Sequence, residues 1–434
     1  MCSHVQPSPR RNPTLEPTNL NLLIESALIG QEVNSGAVAT IRTTLSSLNI
    51  ETIRCPSVGC QALITPNHKS CARVVNQWIM FGVLGRGDGF TRNSDGEVLN
   101  TNVYANGSIQ HAFPMPNTCQ LPQRPSQEWL ASHNAYDNGT NAGFVRTQIS
   151  PTIPEIVGGV AMGYYTSDHL PLTYSLAEEF PIGDRCFFSV MSQTWPNRRY
   201  LIAGTSRGLT DDNSNLTAGY TPTGTIFNEL DKHNISWTNY APDCCWTTIS
   251  GNTPDLYGAN DYDTEVKNHK DLNQFMVDAL EGNLPAFSFL DLNYGNQSQE
   301  NPQNVESERH CWLLSSTPLY QYDGFARLGF RVPVVVVSPY AKPGKYVSHV
   351  VHDHTSVLAT LQRKWNLPSF TYRDANANDM LDFLDLEALE RKRPTFRTMP
   401  PLAAPGNTTE ALACSETGAG IIPPPGTVSS PETS

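Results

Sequence analysis

Charge is scarce in this chain. Of its 434 residues only 16% are Asp, Glu, Lys or Arg, and 29 basic residues against 41 acidic ones leave a formal net charge of −12. There is no basic stripe to offset that balance. The composition therefore argues against a nucleic-acid partner, since phosphate backbones are held by clustered Lys and Arg. It argues equally against long-range attraction to an anionic membrane surface. A small phosphate ester is not excluded, because a site responds to local rather than net charge. Other features are missing too. No apolar run is long enough to span a bilayer. The opening MCSHVQPSPRRNPTLEP lacks the continuous apolar stretch of a signal peptide. There is no G-x-x-x-x-G-K-[ST] loop and no dinucleotide fingerprint, which disfavours nucleotide-triphosphate and nicotinamide chemistry. No internal repeat is present. The ten cysteines are too few and too scattered for a small disulfide scaffold, and neither Cys55 with Cys60 nor the adjacent Cys244 and Cys245 makes a zinc-ribbon spacing.

What is present suffices for a globular protein. Hydrophobic residues are 39% of the chain, enough to bury the core of one large α/β domain or two ordinary ones. Thirty glycines and 33 prolines imply many long loops. N-x-S/T sequons stand at Asn106, Asn138, Asn215, Asn234, Asn296 and Asn407. They are either chance in an Asn-rich chain or the mark of an exported glycoprotein in which disulfides can form. The expectation carried forward is an extracellular or secreted protein, with an oligomeric state that the sequence does not set.

The text of the chain changes twice. Residues 1–75 are rich in Ser, Thr and Asn, with an amphipathic stretch from Leu20 to Leu48. From Trp78 to about residue 386, strand-like and helix-like stretches alternate, the pattern of an α/β sandwich. Residues 387–434 are rich in Pro and Thr and read as a mostly unpacked tail. Arg331-Val-Pro-Val-Val-Val-Val-Ser-Pro339 suits a strand buried on both faces, as in a parallel sheet. A helix is expected from about Thr355 to Trp365, with Val357, Leu358, Leu361 and Trp365 on one face and Asp353 or Thr355 as cap. A second helix is expected through Leu272, Phe275, Met276 and Leu280. Strands are expected at residues 285–290, ending at Asp291, and at Tyr200–Gly204. In such sheets chemistry sits at the carboxyl ends of strands, which points to Asp291, the loop after Ser338 and the region of Thr194.

Three local patterns carry chemistry. His349-Val-Val-His352-Asp353-His354 packs three imidazoles and a carboxylate into six residues at a helix start. These groups serve as metal ligands, as acids and as donors to a phosphoryl oxygen, and a helix N-terminus adds backbone N–H groups suited to an anion. The same residues also read as a solvated turn with Asp353 as a simple cap. Ser192-Gln-Thr194-Trp-Pro-Asn-Arg198 places a hydroxyl beside a Pro turn with an Arg four residues on. That suits either a nucleophile with a phosphate-orienting partner or a plain turn. Gly204-Thr-Ser206-Arg-Gly208 matches the nucleophile elbow of serine hydrolases, but loop chemistry follows it where the elbow needs a helix. Arg86-Gly-Asp88 is a tripeptide in a Gly-rich loop.

Longer blocks carry a resemblance. Ala161 to Ser206, containing TYSLAEEFPIGDRCFFSVMSQTWPNRRYLIAGTS, and Arg331 to Asp385, containing RVPVVVVSPYAKPGKYVSHVVHDHTSVLATLQRKW, resemble the phosphoesterase family that includes phosphatidylcholine-hydrolysing phospholipases C and a related acid phosphatase. GTIFNELDKHNISW and LPAFSFLDLNYG fit the same pattern, and the likeness runs from about residue 80 to 420. The resemblance implies a three-layer α/β/α sandwich of alkaline-phosphatase-like fold over residues 76–386. It implies a hydrolase acting on phosphoric ester bonds of a phospholipid or small phosphate ester, and a divalent metal cofactor. Thr194 falls where the family places its Ser/Thr nucleophile, with Arg198 beside it. His354 falls on an active-site histidine, His349 on a second and His133 on a further one; Asp291 and His352 complete the expected substrate-binding set. Two family segments that supply metal ligands have no counterpart: an E-N-[RH]-S-F-D-[HN] stretch before Trp78, and a T-Y-D-E-H-G-G-F-Y-D-H stretch between His310 and Tyr322. Part of the domain is thus expected to be missing. Glu306, Glu308 and His310 stand near the second gap. The alternative to an enzyme is a catalytically inactive secreted relative that binds phosphate or a lipid headgroup.

Overall fold

A computed structural model describes residues 84–117, 119, 126, 128–146, 155–210, 223–240, 268–290, 327–403 and 414–431. The N-terminal segment 1–75, Asp291, and Glu306, Glu308 and His310 lie outside these residues. In chain order the elements begin with β1 (Thr101–Val103), β2 (Ile109–His111), β3 (Phe113–Pro114), α1 (Trp129–Tyr136), β4 (Gly163–Tyr164), α2 (Pro171–Glu179), β5 (Ile182–Gly183), β6 (Cys186–Phe187) and α3 (Thr194–Ala203). They continue with α4 (Ile226–Lys232), β7 (Trp237–Tyr240), β8 (His269–Lys270), α5 (Leu272–Glu281), β9 (Phe287–Leu290), β10 (Val334–Val335), β11 (Val347–Ser348) and β12 (His352–Asp353). The last are α6 (His354–Trp365), α7 (Tyr372–Ala375), α8 (Leu386–Glu390) and β13 (Val428–Ser429). The architecture is mixed α/β.

The segment that organises the fold is 181–188, which contains β5 and β6. On one side it runs parallel to residues 346–353: β11 pairs with β5 and β12 with β6. On the other side it runs antiparallel to residues 330–336, through β10 and the bridge between Phe187 and Arg331. Backbone bonds from Ile182 N–H to Tyr346 O (3.0 Å), Asp184 N–H to Ser348 O (3.1 Å) and His352 N–H to Arg185 O (3.0 Å) continue the parallel seam between the short strands. A second sheet, β8-β7-β9, is wholly parallel. The Val-rich run is therefore covered on both faces, as its composition requires. Val334 and Val336 pack with Cys186, Met380 and Phe383, and Val335 and Val337 pack towards the side of Leu176 and Ala341. Its partner is antiparallel rather than parallel, because a β-branched run reports burial and not strand direction.

Helix α6 forms as its sequence dictates. Asp353 caps it, accepting the Thr355 N–H at 2.9 Å, and Ser356 accepts the Asp353 N–H at 3.1 Å, a reciprocal capping box. Asn366, left-handed at φ 52°, ends it. Leu358 and Leu361 are buried against Leu201 and Ile202 of α3, Phe227 and Leu230 of α4, and Trp237 of β7. Each such side chain contributes roughly 1.5–3 kcal/mol by leaving water. Helix α5 begins as expected behind Asp271, whose carboxylate accepts the Asn273 N–H, and β9 occupies the last four residues of the strand expected at 285–290.

Two expectations are corrected. Tyr200–Gly204 is not a strand but the end of α3. Tyr200, Leu201, Ile202 and Ala203 are all buried, and a helix turn buried all round carries no alternation to separate it from a buried strand. The C-terminal segment is not an unpacked tail either. Phe396 packs against Phe180 with ring centroids 5.0 Å apart, β13 pairs with β2, and a disulfide joins Cys119 to Cys414. Gln110, fully buried, donates to both Thr427 oxygens. These contacts are long-range, and composition does not encode them.

Gly204 closes α3 at φ +71° against the α7 turn. An added Cβ would lie 2.4 Å from Asp374 Oδ1 and 2.8 Å from Thr371 Oγ1. Asp374 cannot yield, because it also accepts from Gln362 Nε2, Phe370 N–H and Thr371 N–H at 2.7–2.8 Å. Gly204→Ala therefore combines the left-handed penalty of about 1–2 kcal/mol with a clash against a buried carboxylate. Urea denaturation will show a loss larger than that penalty alone, whereas Gly420→Ala, also at positive φ but with open space around it, will show only the penalty.

Candidate functional site

The parallel seam delivers two helices to one place. Residues 181–188 lead through a five-residue loop, Ser189 to Gln193, into α3, whose first residue is Thr194. Residues 346–353 lead directly into α6, whose first residue is His354. The carboxyl ends of two neighbouring parallel strands thus each carry one of the expected catalytic residues, the usual location of chemistry in such sheets.

His354 is buried at 4% exposure and lies against the other strand end. Its Nδ1 is 3.3 Å from both Ser189 N and Ser189 Oγ, and its ring stacks on Phe188 at 5.6 Å. The Ser189 N–H donates to Nδ1, so the neutral ring carries its proton on Nε2, which makes Nε2 a donor. Arg373 ties the two strand ends together. Its guanidinium donates twice to Asp353 Oδ2, at 2.9 and 3.0 Å, and once to Ser189 O at 2.9 Å, while lying over the Tyr200 ring at 5.4 Å. Arg198, one helical turn after Thr194, is buried at 7% exposure. Gln193 is the N-cap of α3, without a side-chain cap bond, and a helix N-terminus directs backbone N–H groups of a kind suited to an anion.

The other expected residues fall elsewhere. His349 is exposed and pairs through Nδ1 with Asp184 Oδ2 at 2.8 Å. His352 is buried on the opposite side of the strand from Asp353, with Nε2 3.1 Å from Asp382 Oδ1 and its ring against Phe383. His133 lies half-buried in α1, bonded through Nδ1 to Trp129 O at 2.8 Å and tilted against the Trp129 ring. Burial pushes its imidazole down from the ordinary value. Asp291 is outside the described residues. Ser206 of the elbow-like pattern is fully buried beyond the end of α3, at a helix end rather than a strand end. Sequence reading passed over Asn197 and Arg373. Both lie inside the quoted blocks, and an uncharged amide one turn into a helix is the signal that could have drawn attention to the first.

With this arrangement in view, comparison with known proteins is informative. The sequence model of the Phosphoesterase family matches residues 80–313 and 314–368. The chain belongs to the phosphoesterase family. It is 26% identical over 329 residues to "Non-specific phospholipase C6" of Arabidopsis thaliana, covering 62% of this chain and 61% of that protein. It is 26% identical over 272 residues to "Non-specific phospholipase C1" of the same plant, covering 49% and 50%. With "Phospholipase C B" of Mycobacterium tuberculosis it shares 24% identity over 338 residues, covering 61% and 64%. The chain thus spans about half to just under two thirds of the length of these curated relatives. Family membership accords with the α/β architecture and its alkaline-phosphatase-like form.

The family implies a divalent metal. One group has suitable donors: Asp88, Asp184 and His349 bring ligand atoms within 4.8 Å of one another. Most of those donor atoms are already committed, although Asp184 Oδ1 is buried without a hydrogen-bond partner. Asp184 Oδ2 accepts the Asp88 N–H at 2.7 Å and meets His349. Asp88 Oδ2 accepts from Arg185 Nε at 2.9 Å, and that bond holds the Asp88 carboxyl below its usual range. Arg331 donates to the Asp88 and Asp184 carbonyls at 2.9 and 3.0 Å. Two guanidiniums balance two carboxylates, and a dication would add net charge to a neutral cluster. Gly87, at φ +76°, allows the close approach, since a Cβ there would lie 2.9 Å from Asp184 Oδ2. The cluster is an ion-pair clasp that fixes the 84–88 turn to the central strand. Beside His354, Asp353 is spent on Arg373 and on the α6 cap. The described residues near α3 do not fit the metal that the family implies, and no step is routed through one here.

Burial pushes the His354 imidazole down to about 4; the adjacent Asp353 carboxylate opposes the shift and Arg373 adds to it. An unfolded histidine titrates near about 6.5, so as pH falls the unfolded chain takes up the proton first. The stability associated with the neutral buried ring is complete above about pH 6.5 and is lost towards about pH 4, with a slope approaching about 1.4 kcal/mol per pH unit. Denaturant titrations across that window will show this slope in the wild-type chain and a shallower one in His354→Gln. Equal slopes would mean that His354 is charged or exposed in the native protein.

Proposed function

We propose that this chain is a phosphoester hydrolase of phospholipase C type, with Thr194 as nucleophile. What carries the reading is the convergence of α3 and α6 at the carboxyl ends of the parallel-paired strands: His354 touches Ser189, which opens the loop leading to Thr194. Family membership and relatives named phospholipase C support a phosphoester as the bond cleaved, and a phospholipid or small phosphate ester as substrate.

In this mechanism the ester phosphate sits at the N-terminal end of α3, where backbone N–H groups meet its oxygens and Arg198 supplies positive charge. The Thr194 hydroxyl attacks phosphorus in line. A Thr Oγ–P bond forms, the bond from phosphorus to the ester oxygen breaks, and the proton lost by the Thr194 hydroxyl ends on the leaving oxygen. Water then cleaves the phosphothreonine and regenerates the hydroxyl. His354, neutral at pH 7, donates from Nε2 rather than acting as a fixed cation. The lack of an uncommitted carboxylate among the described residues at α3 favours a second reading, a relative that binds phosphate without turning it over.

Secretion is part of the same proposal. The Cys119–Cys414 disulfide belongs to oxidising compartments. Asn106, Asn138 and Asn234, sequon positions within the described residues, are exposed. No helix among the described residues is long and apolar enough to cross a membrane.

Hydrolysis of p-nitrophenylphosphorylcholine and p-nitrophenylphosphate, with and without added divalent metal, tests the proposal. Turnover is expected to fall by at least about 10³-fold in Thr194→Ala, and Thr194→Ser is expected to retain part of it. Unchanged turnover in Thr194→Ala would remove Thr194 from the chemistry. Absence of turnover in a folded wild-type chain would favour the non-catalytic reading.

A further inference from the structure

The loop from Ser189 to Gln193 poses a physical problem. It connects a strand to the helix that begins with Thr194, yet it is buried: Ser189, Val190, Met191 and Ser192 are each no more than 2% exposed. Strand pairing ends just before it, with the Phe188 N–H bonded to Phe330 O and the Gly329 N–H bonded to Phe188 O. Backbone groups beyond that point have neither water nor a neighbouring strand, and leaving them unpaired would be costly.

His354 and Arg373 serve the Ser189 N–H and carbonyl, the Ser192 N–H bonds Val190 O, and one further side chain serves the rest of the loop. Asn197, itself 1% exposed, accepts the Val190 N–H on Oδ1 at 3.1 Å. Its Nδ2 donates to Val190 O at 3.1 Å, Ser192 O at 3.1 Å and Gln193 O at 3.0 Å. The pair of bonds to Val190 reproduces what a residue on an adjacent strand would supply, since a carboxamide has the donor and acceptor of a peptide group. The further bonds reach to the N-cap of α3. Side chains on a helix lean towards its N-terminus, so a residue three positions after Thr194 is placed to hold the loop just before it. The orientation of the amide is determined by the network: three carbonyls require the NH₂ end and one N–H requires the oxygen.

We propose that Asn197 is the positioning residue of this site, setting the loop and first turn of α3 so that Thr194 and the backbone N–H groups there meet a phosphoryl group. The inference rests on the reading of α3 as the phosphate end of the site. Catalytic geometry tolerates little displacement, and small shifts of a supporting shell can cost about 10²-fold in rate. Asn197→Asp is the sharpest probe, because it keeps the shape and the acceptor for Val190 N–H but turns a carboxylate oxygen towards three carbonyls. Asn197→Ala removes both halves.

The experiment uses the full chain, with the folded fraction checked by circular dichroism and assays run well below each variant's melting temperature. For p-nitrophenylphosphorylcholine, kcat per folded molecule is expected to fall by about 10²-fold or more in both variants, with KM changed by only a few-fold. A purely structural role would lower the melting temperature and leave kcat per folded molecule near wild type; that result would overturn the proposal. Binding of inorganic phosphate, measured by calorimetry, separates this proposal from the Thr194 assignment. If Thr194→Ala turns over like wild type, the nucleophile reading fails, and Asn197 is then judged by phosphate affinity. Weakening by about tenfold or more in Asn197→Asp sustains the positioning role. Equal affinity in wild type and Asn197→Asp, or no phosphate binding and no turnover in wild type, overturns it.

Discussion

Parallel pairing of residues 181–188 with residues 346–353 is the constraint on which the site depends. These segments are far apart in sequence, but each ends where a helix begins. Because the pairing is parallel, both helices begin at the same edge of the sheet. An antiparallel partner could not do this, and the 330–336 segment on the other side accordingly contributes packing and the Arg331 contact rather than a helix N-terminus. Packing of α3 against α6 through Leu201, Ile202, Leu358 and Leu361 then holds the two N-termini in register.

A buried site of this kind must satisfy polar groups that water would otherwise serve. Two side chains do so at the junction. Arg373 joins the Asp353 cap of α6 to the Ser189 carbonyl, so the cap of one helix and the strand end feeding the other are bound to one guanidinium. Asn197 supplies the bonds that a missing strand would have made to Val190. Both act on backbone, so both constrain position rather than chemistry. The buried neutral His354 belongs with them: its Nδ1 is committed to Ser189, which fixes the ring and leaves Nε2 as the donor.

The C-terminal segment has a related architectural role. Beyond α8 it packs Phe396, Met399 and Leu402 near Phe180, then returns to the N-terminal part of the described chain through the Cys119–Cys414 disulfide and the pairing of β13 with β2. Contacts of such large sequence separation restrict the unfolded chain strongly. The Asp88–Arg185–Asp184–His349 cluster fastens the turn before β1 to the central strand in the same manner, by paired charges rather than by covalent linkage.

Helix α6, helix α5 and strand β9 were legible because each has a local cause: a capping residue, an apolar stripe and a length that suits its type. The α/β class was legible from the alternation of such elements, and the resemblance of two long blocks carried the assignments of Thr194 and His354. Where several states share one local pattern, the sequence was silent or misleading. A fully buried Tyr-Leu-Ile-Ala run suits a strand or a helix, a Val run suits either strand direction, and a Pro-rich end suits a tail or a packed strap. Local composition by itself determined which residues must be buried and where helices can start, since these follow from transfer free energy and capping. Only the tertiary structure decided which strands pair, which imidazoles stand at the site and which turn away, and that Asn197 replaces a strand. Those outcomes depend on hydrogen bonds between residues distant in sequence, which no local pattern specifies.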